Sequence, residues 1–142
     1  MLFRTFGKHL SSMGVLQLRN YSRMKKLIFV LEDDDELREL YAYLLESEGY
    51  EVSSYPDAAS FDIAISTASP AVIVMDVRLP DGNGIDICNG LKANPRTSAV
   101  PVLIMSAHKD LISLKVNSRA DDHLEKPFNI DVFLEKIERL AR

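Results

Sequence analysis

Short apolar segments alternate five times with amphipathic helical patterns from residue 26 onward, and this alternation constrains the fold more than any other feature of the sequence. The strand-like segments lie at 26–31, 50–55, 71–75, 100–105 and 122–126, and the helical patterns at 35–48, 57–67, 84–92, 109–118 and from 130 onward. Continuous apolar runs are typical of strands that are buried on both faces of a parallel sheet. We therefore predict a doubly wound α/β fold, a parallel sheet with helices on both faces.

Apolar faces and end signals support the helical assignments. Acidic residues crowd the start of the first helix, where the helix dipole favours them, and Gly49 stands at the C-cap position. Asn129 is placed to cap the last helix. The second helical pattern contains the apolar residues Phe61, Ile63 and Ile65. The apolar residues at helical spacing in the first and last helices are Leu37, Leu40, Tyr41, Leu44 and Leu45, and Ile130, Phe133, Leu134, Ile137 and Leu140.

Charge is unevenly distributed along the 142 residues, whose formal net charge is −4. Residues 1–24 contain four of the 17 basic residues and no acid, which leaves 13 basic against 21 acidic residues, a net charge of −8, in the remainder. So acidic a domain does not look like a direct nucleic-acid binder. No apolar stretch is long enough for a membrane span, and the single Cys88 excludes an internal disulfide. We therefore expect a cytoplasmic domain without membrane association.

Residues 1–24 are basic and contain several serines, a composition that also occurs in organelle-targeting peptides. The alternative is a disordered or non-native extension that precedes a natural start at Met24. The scattered apolar residues do not form the continuous core of a secretory signal. We divide the chain into this extension, 1–24, and one folded domain, 25–142.

Polar residues follow four of the five predicted strands. Glu32 and Asp33 follow the first strand, Asp76 the third, Ser106 the fourth, and Lys126 lies at the end of the fifth. In parallel sheets of this kind, ligands bind beyond the carboxyl ends of the strands, so these side chains are expected to converge at one edge. Isolated acids at strand ends are commonly solvated or capping, but a matching set at four strands favours a functional site.

The chemistry of this set favours a metal ion and a phosphoryl group. Three carboxylates in one pocket repel one another, and Mg²⁺, which prefers oxygen ligands, relieves that repulsion. A carboxylate such as Asp76 can attack phosphorus and form an acyl phosphate. Lys126 supplies a further positive charge, and the Ser106 hydroxyl can hydrogen-bond a phosphoryl oxygen.

The segments FVLEDDDELREL, VIVMDVRLPDGNG, VLIMSA and DDHLEKPF together resemble the receiver domain of two-component response regulators, in particular single-domain receivers of the chemotaxis-regulator type. The resemblance covers about residues 25–141, and the spacings of 30 and 50 residues from Asp76 to Ser106 and Lys126 are close to those of the family. It implies a flavodoxin-like (βα)5 sheet with strand order 2-1-3-4-5.

The resemblance also implies a role for each site residue. Asp76 is the phosphoacceptor, and Lys126 is the amine that pairs with the phosphoryl group. Glu32, Asp33 and Asp76 hold Mg²⁺ together with the backbone carbonyl of Arg78. The Arg78 side chain is open to two interpretations, a contact with the phosphoryl group or a solvated charge at the rim.

Two switch residues are implied as well. Ser106 moves toward the phosphoryl group, and His123 occupies the position of an aromatic residue that swings inward with it. For His123, a partly exposed strand residue without a switching role is an equal alternative. His108 is not assigned a catalytic role, because nothing in the sequence orients it. The stretch from Ser106 to Lys126 is short for the family, so we expect the fourth helix to be short or irregular.

By resemblance, the protein takes a phosphoryl group from a histidine kinase or a histidine phosphotransfer protein and changes its fourth-helix, fifth-strand and fifth-helix surface for an unknown downstream protein. The only reactions that it would then catalyse are its own phosphorylation and dephosphorylation. The main alternative is a pseudo-receiver that docks without phosphorylation. An aspartyl phosphatase needs a second Asp where Arg78 stands, and no glycine-rich loop supports nucleotide binding. A stand-alone receiver is our prediction, with the receiver of a longer protein as the alternative.

Overall fold

A computed structural model of the chain describes residues 25–142, so the predicted extension 1–24 lies outside the described residues. Five parallel strands form one sheet in the order β2-β1-β3-β4-β5, which confirms the predicted fold. The strands are β1 Leu27–Leu31, β2 Glu51–Tyr55, β3 Val72–Asp76, β4 Val102–Ser106 and β5 Asp122–Glu125. The helices are α1 Asp35–Ser47, α2 Ala58–Ile65, α3 Gly84–Ala93, α4 Leu111–Asn117 and α5 Ile130–Leu140.

Two shorter elements lie at the carboxyl edge of the sheet. A small antiparallel hairpin pairs Arg78–Leu79 with Gly82–Asn83 directly after β3. A 3-10 turn, His108–Asp110, leads from β4 into α4. Both elements belong to connections that surround the carboxyl ends of the central strands, where the polar residues were expected.

Side-chain caps fix where several helices begin. The carboxylate of Asp34 accepts a hydrogen bond from the backbone N–H of Leu37 at 2.9 Å, and the Asn129 side chain accepts one from Val132 at 3.1 Å. Each cap satisfies an N–H group that has no partner within the helix. After α1, Gly49 has a φ of 90°, a conformation that glycine adopts without a Cβ penalty.

The two faces of the sheet carry separate hydrophobic cores. Helices α1 and α5 cover one face with Tyr41, Leu45, Phe133 and Ile137. Helices α2, α3 and α4 cover the other, where Cys88 is buried. Because successive side chains of a strand point to opposite faces, the apolar runs of β1, β3 and β4 supply both cores at once.

Leu40 and Ile130, which follow the helical spacing of apolar residues, are exposed, and so is the apolar Ile63 of α2. Ile63 is two residues from each of the buried Phe61 and Ile65, which places it on the opposite side of α2. As predicted, α4 is short, with seven residues. Within residues 25–142, every helix is too short or too polar to cross a bilayer.

Candidate functional site

The carboxyl edge of the sheet brings Asp76 and Lys126 into direct contact. Asp76 is the last residue of β3 and is 9% exposed, and its Oδ2 accepts a hydrogen bond from Lys126 Nζ at 2.8 Å. The same ammonium group lies 3.6 Å from Oε1 of Glu32, a fully buried carboxyl at the end of β1. One cation therefore faces two buried acids from neighbouring strands.

The acids form a group that fits a divalent cation. One carboxylate oxygen from each of Glu32, Asp33 and Asp76 lies within 4.8 Å of the others. Oε1 of Glu32 is buried and has no hydrogen-bond partner among the described residues. An unpartnered buried oxygen is costly, and a hard cation such as Mg²⁺ would satisfy it. The predicted metal-binding carboxylates are thus close enough to share one ion.

Burial and mutual repulsion perturb the ionisation of the site. Burial, followed by the negative charge of Asp76, raises the pKa of Glu32 from 4.5 to about 8, although Lys126 opposes the shift. Burial alone would lower the pKa of Lys126, but its hydrogen bond to Asp76 and the charges of both acids outweigh that effect and raise it. Without a metal ion, the site therefore favours the protonated form of Glu32 more than water does.

Ser106 ends β4 beside Asp76, since the register of the two strands pairs Asp76 with Met105. Its hydroxyl is fully buried and has no hydrogen-bond partner within residues 25–142. Its backbone carbonyl accepts a hydrogen bond from the N–H of Lys126 at 2.8 Å, which fixes the two chain segments relative to each other. The hydroxyl is thus available to a group that enters the site.

The turn after Asp76 packs directly against the strand that it follows. The N–H of Gly84 donates to the carbonyl of Val77 at 2.7 Å, and a Cβ on Gly84 would lie 2.0 Å from the carbonyl oxygen of Asp76. The carboxylate of Asp81 accepts hydrogen bonds from the first two N–H groups of α2, at 2.7 and 3.0 Å. Only glycine fits the close approach, and Asp81 ties the turn to α2.

Two ion pairs at the rim were not predicted. The guanidinium of Arg78 forms a two-point contact with the carboxylate of Asp110, at 3.2 and 3.0 Å, so this largely exposed side chain is held at the rim by an acid. Nδ1 of His108 lies 2.7 Å from Oε1 of Glu125, which gives this histidine a partner that sequence reasoning did not identify. Both pairs connect residues that are far apart in sequence, so spacing carries no signal of them.

Two further residues near the site were also missed. Arg38 donates hydrogen bonds to the backbone carbonyls of Glu32 and Asp33, at 2.9 and 3.3 Å, and thereby holds the acidic segment. The sequence signal that could have identified Arg38 is a basic residue near the start of a helix, where acidic residues are preferred. Tyr41 lies beneath the acids, with its ring stacked on Phe133 and its buried hydroxyl unpartnered among the described residues.

The second predicted switch residue, His123, lies in β5, where it is paired in register with Ile104. Its side chain is partly buried, and its backbone N–H donates to the carboxylate of the preceding Asp122 at 2.8 Å. Neither observation tests a switching role, which stays a prediction.

Residues 28–138 match the family described as the response regulator receiver domain. The chain belongs to this family, and it is therefore a response regulator receiver domain of the kind found in two-component systems.

Similar proteins include transcriptional regulators. The transcriptional regulatory protein FixJ of Bradyrhizobium diazoefficiens is 37% identical over 118 residues, which is 81% of this chain and 56% of FixJ. The transcriptional regulatory protein GltR of Pseudomonas aeruginosa is 32% identical over 119 residues, 81% of this chain and 48% of GltR. The chain thus spans about half the length of these relatives.

A solved structure has the same fold. The signal receiver domain of a signal transduction histidine kinase from Syntrophus aciditrophicus superimposes with a TM-score of 0.76 at 25% identity, covering 82% of this chain and 89% of that one. The arrangement of strands and helices described above is therefore that of a receiver domain.

Proposed function

We propose that the protein is a phosphoacceptor receiver whose Asp76 takes a phosphoryl group from the phosphohistidine of a histidine kinase or a histidine phosphotransfer protein. The observation that carries the proposal is the contact of Lys126 with Asp76, 2.8 Å, at a cluster of three carboxylates that can share one cation. A merely structural ion pair would not need two further acids beside it, one of which has a buried oxygen without a hydrogen-bond partner among the described residues.

In the proposed reaction, a carboxylate oxygen of Asp76 attacks phosphorus, a P–O bond forms and the P–N bond to the donor imidazole breaks. The electron pair of that bond stays on the imidazole nitrogen. Glu32, Asp33, Asp76 and the backbone carbonyl of Arg78 would hold Mg²⁺. When bound, the ion supplies positive charge that offsets the charge of the transferring group.

The remaining residues position and read the phosphoryl group. Lys126 holds the attacking carboxylate and can then pair with a phosphoryl oxygen. The unpartnered Ser106 hydroxyl donates a hydrogen bond to another phosphoryl oxygen, and this contact favours one of two conformations of the α4, β5 and α5 surface. A downstream protein binds the favoured conformation. Activity is limited to the domain's own phosphorylation and dephosphorylation, and we place the protein in the cytoplasm.

The names of FixJ and GltR concern transcription, but the aligned part is about half of each. For this chain we propose no direct nucleic-acid contact by residues 25–142, because their net charge is −8 and the site itself is acidic. An electrophoretic mobility assay at low salt checks this point, and a shift with unrelated duplex DNA would contradict it.

The test of the proposed function is incubation with acetyl phosphate, with Mg²⁺ or with EDTA, followed by intact mass measurement. We expect a Mg²⁺-dependent gain of one phosphoryl group in the wild type and none in Asp76→Asn, which keeps the shape of the side chain. Asp81→Asn, in the same turn but bonded to α2, is the matched control and should still be labelled. Labelling of Asp76→Asn, or of the wild type in EDTA, would contradict the assignment.

The pseudo-receiver alternative makes the opposite prediction. A domain that docks without phosphorylation gains no mass under any condition, and beryllofluoride leaves the amide spectrum unchanged. The buried and unpartnered Ser106 hydroxyl and Glu32 oxygen favour a site that accepts a ligand.

A further inference from the structure

Asp110 is a buried acid whose only hydrogen-bonding side chain among the described residues is Arg78. Its side chain is 11% exposed, whereas that of Arg78 is 63% exposed. Nε and Nη2 of the guanidinium donate to the two carboxylate oxygens at 3.2 and 3.0 Å. This parallel two-point geometry is the strongest and most directional form of a carboxylate contact.

The Arg78–Asp110 pair connects two segments at the edge of the site. Arg78 belongs to the hairpin directly after Asp76, and its backbone carbonyl is the fourth proposed ligand of Mg²⁺. Asp110 ends the 3-10 turn that follows β4, four residues after Ser106. The pair therefore bridges the segment that would hold the metal ion and the segment that carries the hydroxyl proposed to move.

The turn that contains Arg78 is held from both sides. Asp81 bonds the start of α2 on one side, and Asp110 holds Arg78 on the other. The hairpin has only two residues in each strand, so these outer contacts add to the Gly84–Val77 hydrogen bond in holding it.

We propose that Asp110 is a positioning residue that holds Arg78 and its turn, so that the backbone carbonyl proposed as a ligand would keep its place when Mg²⁺ binds, and that it thereby couples metal binding to the Ser106–Asp110 segment. The Arg78 side chain then acts by holding the turn and not by contacting the phosphoryl group. If the Arg78 side chain moved away from Asp110, a buried carboxylate would have no partner, which is strongly unfavourable. The inference rests on the proposed role of Mg²⁺ in the function above.

The first test measures Mg²⁺ binding by isothermal titration calorimetry, without any phosphoryl donor. Asp110→Asn and Arg78→Gln should each weaken Mg²⁺ affinity in the same direction, by about tenfold, the lower end of what loss of a supporting residue costs a metal site. Arg78→Lys keeps the charge but not the two-point contact, and should recover only part of the affinity. The matched control is Lys136→Gln, which removes an ion pair with a partly buried acid, Asp122, at the start of β5 and should bind Mg²⁺ as the wild type does.

The second measurement detects the coupling itself. In amide spectra of the wild type, Mg²⁺ should shift the signals of residues 107–111, and in Asp110→Asn those shifts should disappear while the shifts at residues 32–34 remain. A merely structural pair would lower the melting temperature of both variants without changing these responses.

The outcomes separate this inference from the proposed function. Wild-type Mg²⁺ affinity in Asp110→Asn overturns the positioning role alone. Opposite effects of Asp110→Asn and Arg78→Gln on the lifetime of the acyl phosphate also overturn it, because they would show that Arg78 contacts the phosphoryl group once Asp110 releases it. Absence of Mg²⁺ binding in the wild type refutes the metal requirement of the proposed function as well.

Discussion

Replacement of Gly84 by alanine is the most direct perturbation of the site that leaves every ionisable group unchanged. The new Cβ would lie 2.0 Å from the carbonyl oxygen of Asp76, 2.9 Å from its carbonyl carbon and 3.2 Å from Cα of Val77. Real Cβ atoms essentially never approach closer than 3.0 Å, so the backbone must move by about 1 Å at this point. All three contacts are backbone atoms, and no side chain can turn away to make room.

That displacement should lower both stability and reactivity. Overpacking of this kind costs about 1–3 kcal/mol, and the same movement strains the 2.7 Å hydrogen bond from Gly84 to Val77. We expect a loss of about 3 kcal/mol in urea unfolding. Because a 1 Å misplacement of a reacting group can cost about 10²-fold in rate, labelling of Asp76 by acetyl phosphate should slow by a similar factor.

Gly90→Ala, in the same helix, is the matched control. No atom lies within 4 Å of a Cβ at Gly90, and alanine is the better helix former, so this variant should gain about 0.5–1 kcal/mol and label normally. If Gly84→Ala were as stable as the wild type and labelled at the wild-type rate, the close packing of the turn against Asp76 would not be what positions the carboxylate.

Three further predictions concern single side chains. Because the pKa of Glu32 is raised from 4.5 to about 8, the folded metal-free protein binds one more proton than the unfolded chain between these pH values. The free energy of unfolding, measured with urea in EDTA, should therefore fall by up to about 3 kcal/mol from pH 5.5 to 8. Glu32→Gln or saturating Mg²⁺ should remove this slope, and an unchanged slope would exclude Glu32 as its source. Tyr41→Phe removes a buried hydroxyl that has no partner among the described residues, and it should leave stability unchanged or raise it by about 1 kcal/mol. The control is Tyr43→Phe, at a side chain that is 70% exposed, and a clear loss of stability in Tyr41→Phe would show that the hydroxyl is bonded. Asp81→Asn weakens the cap on α2 and should cost about 1 kcal/mol in urea unfolding, a prediction that wild-type stability would contradict.

The fold could be predicted from the sequence because its signals are local and periodic. The apolar runs of β1, β3 and β4 fill both cores, so their length and continuity were direct consequences of burial on two faces. Individual surface positions were less predictable. Leu40 is apolar but exposed, because helical spacing alone does not show how wide a stripe the neighbouring elements cover, whereas Ile63 is exposed because it lies on the side of α2 opposite Phe61 and Ile65.

For the site, too, some residues could be predicted from the sequence and others could not. Glu32, Asp76, Ser106 and Lys126 could be brought together by a simple rule, that parallel strands end at one edge. The bond between Arg78 and Asp110 could not, because both residues lie in connecting segments whose path follows no period. Such pairs depend on where two loops come to lie, and only the three-dimensional arrangement shows that Arg78 is already engaged.

The charges of the site explain why a cation would matter beyond holding ligands. One ammonium group, that of Lys126, serves both Asp76 and Glu32, so the three acids exceed the positive charge available to them. Burial is the main cause of the raised pKa of Glu32 and this excess adds to it, and the excess would also repel the negatively charged phosphoryl group of a donor. A divalent cation held by Glu32, Asp33 and Asp76 would offset this excess charge, and Lys126 would then be free to meet the incoming oxygens. This charge imbalance is the physical reason why we propose that Asp76 accepts a phosphoryl group only when the metal ion is bound.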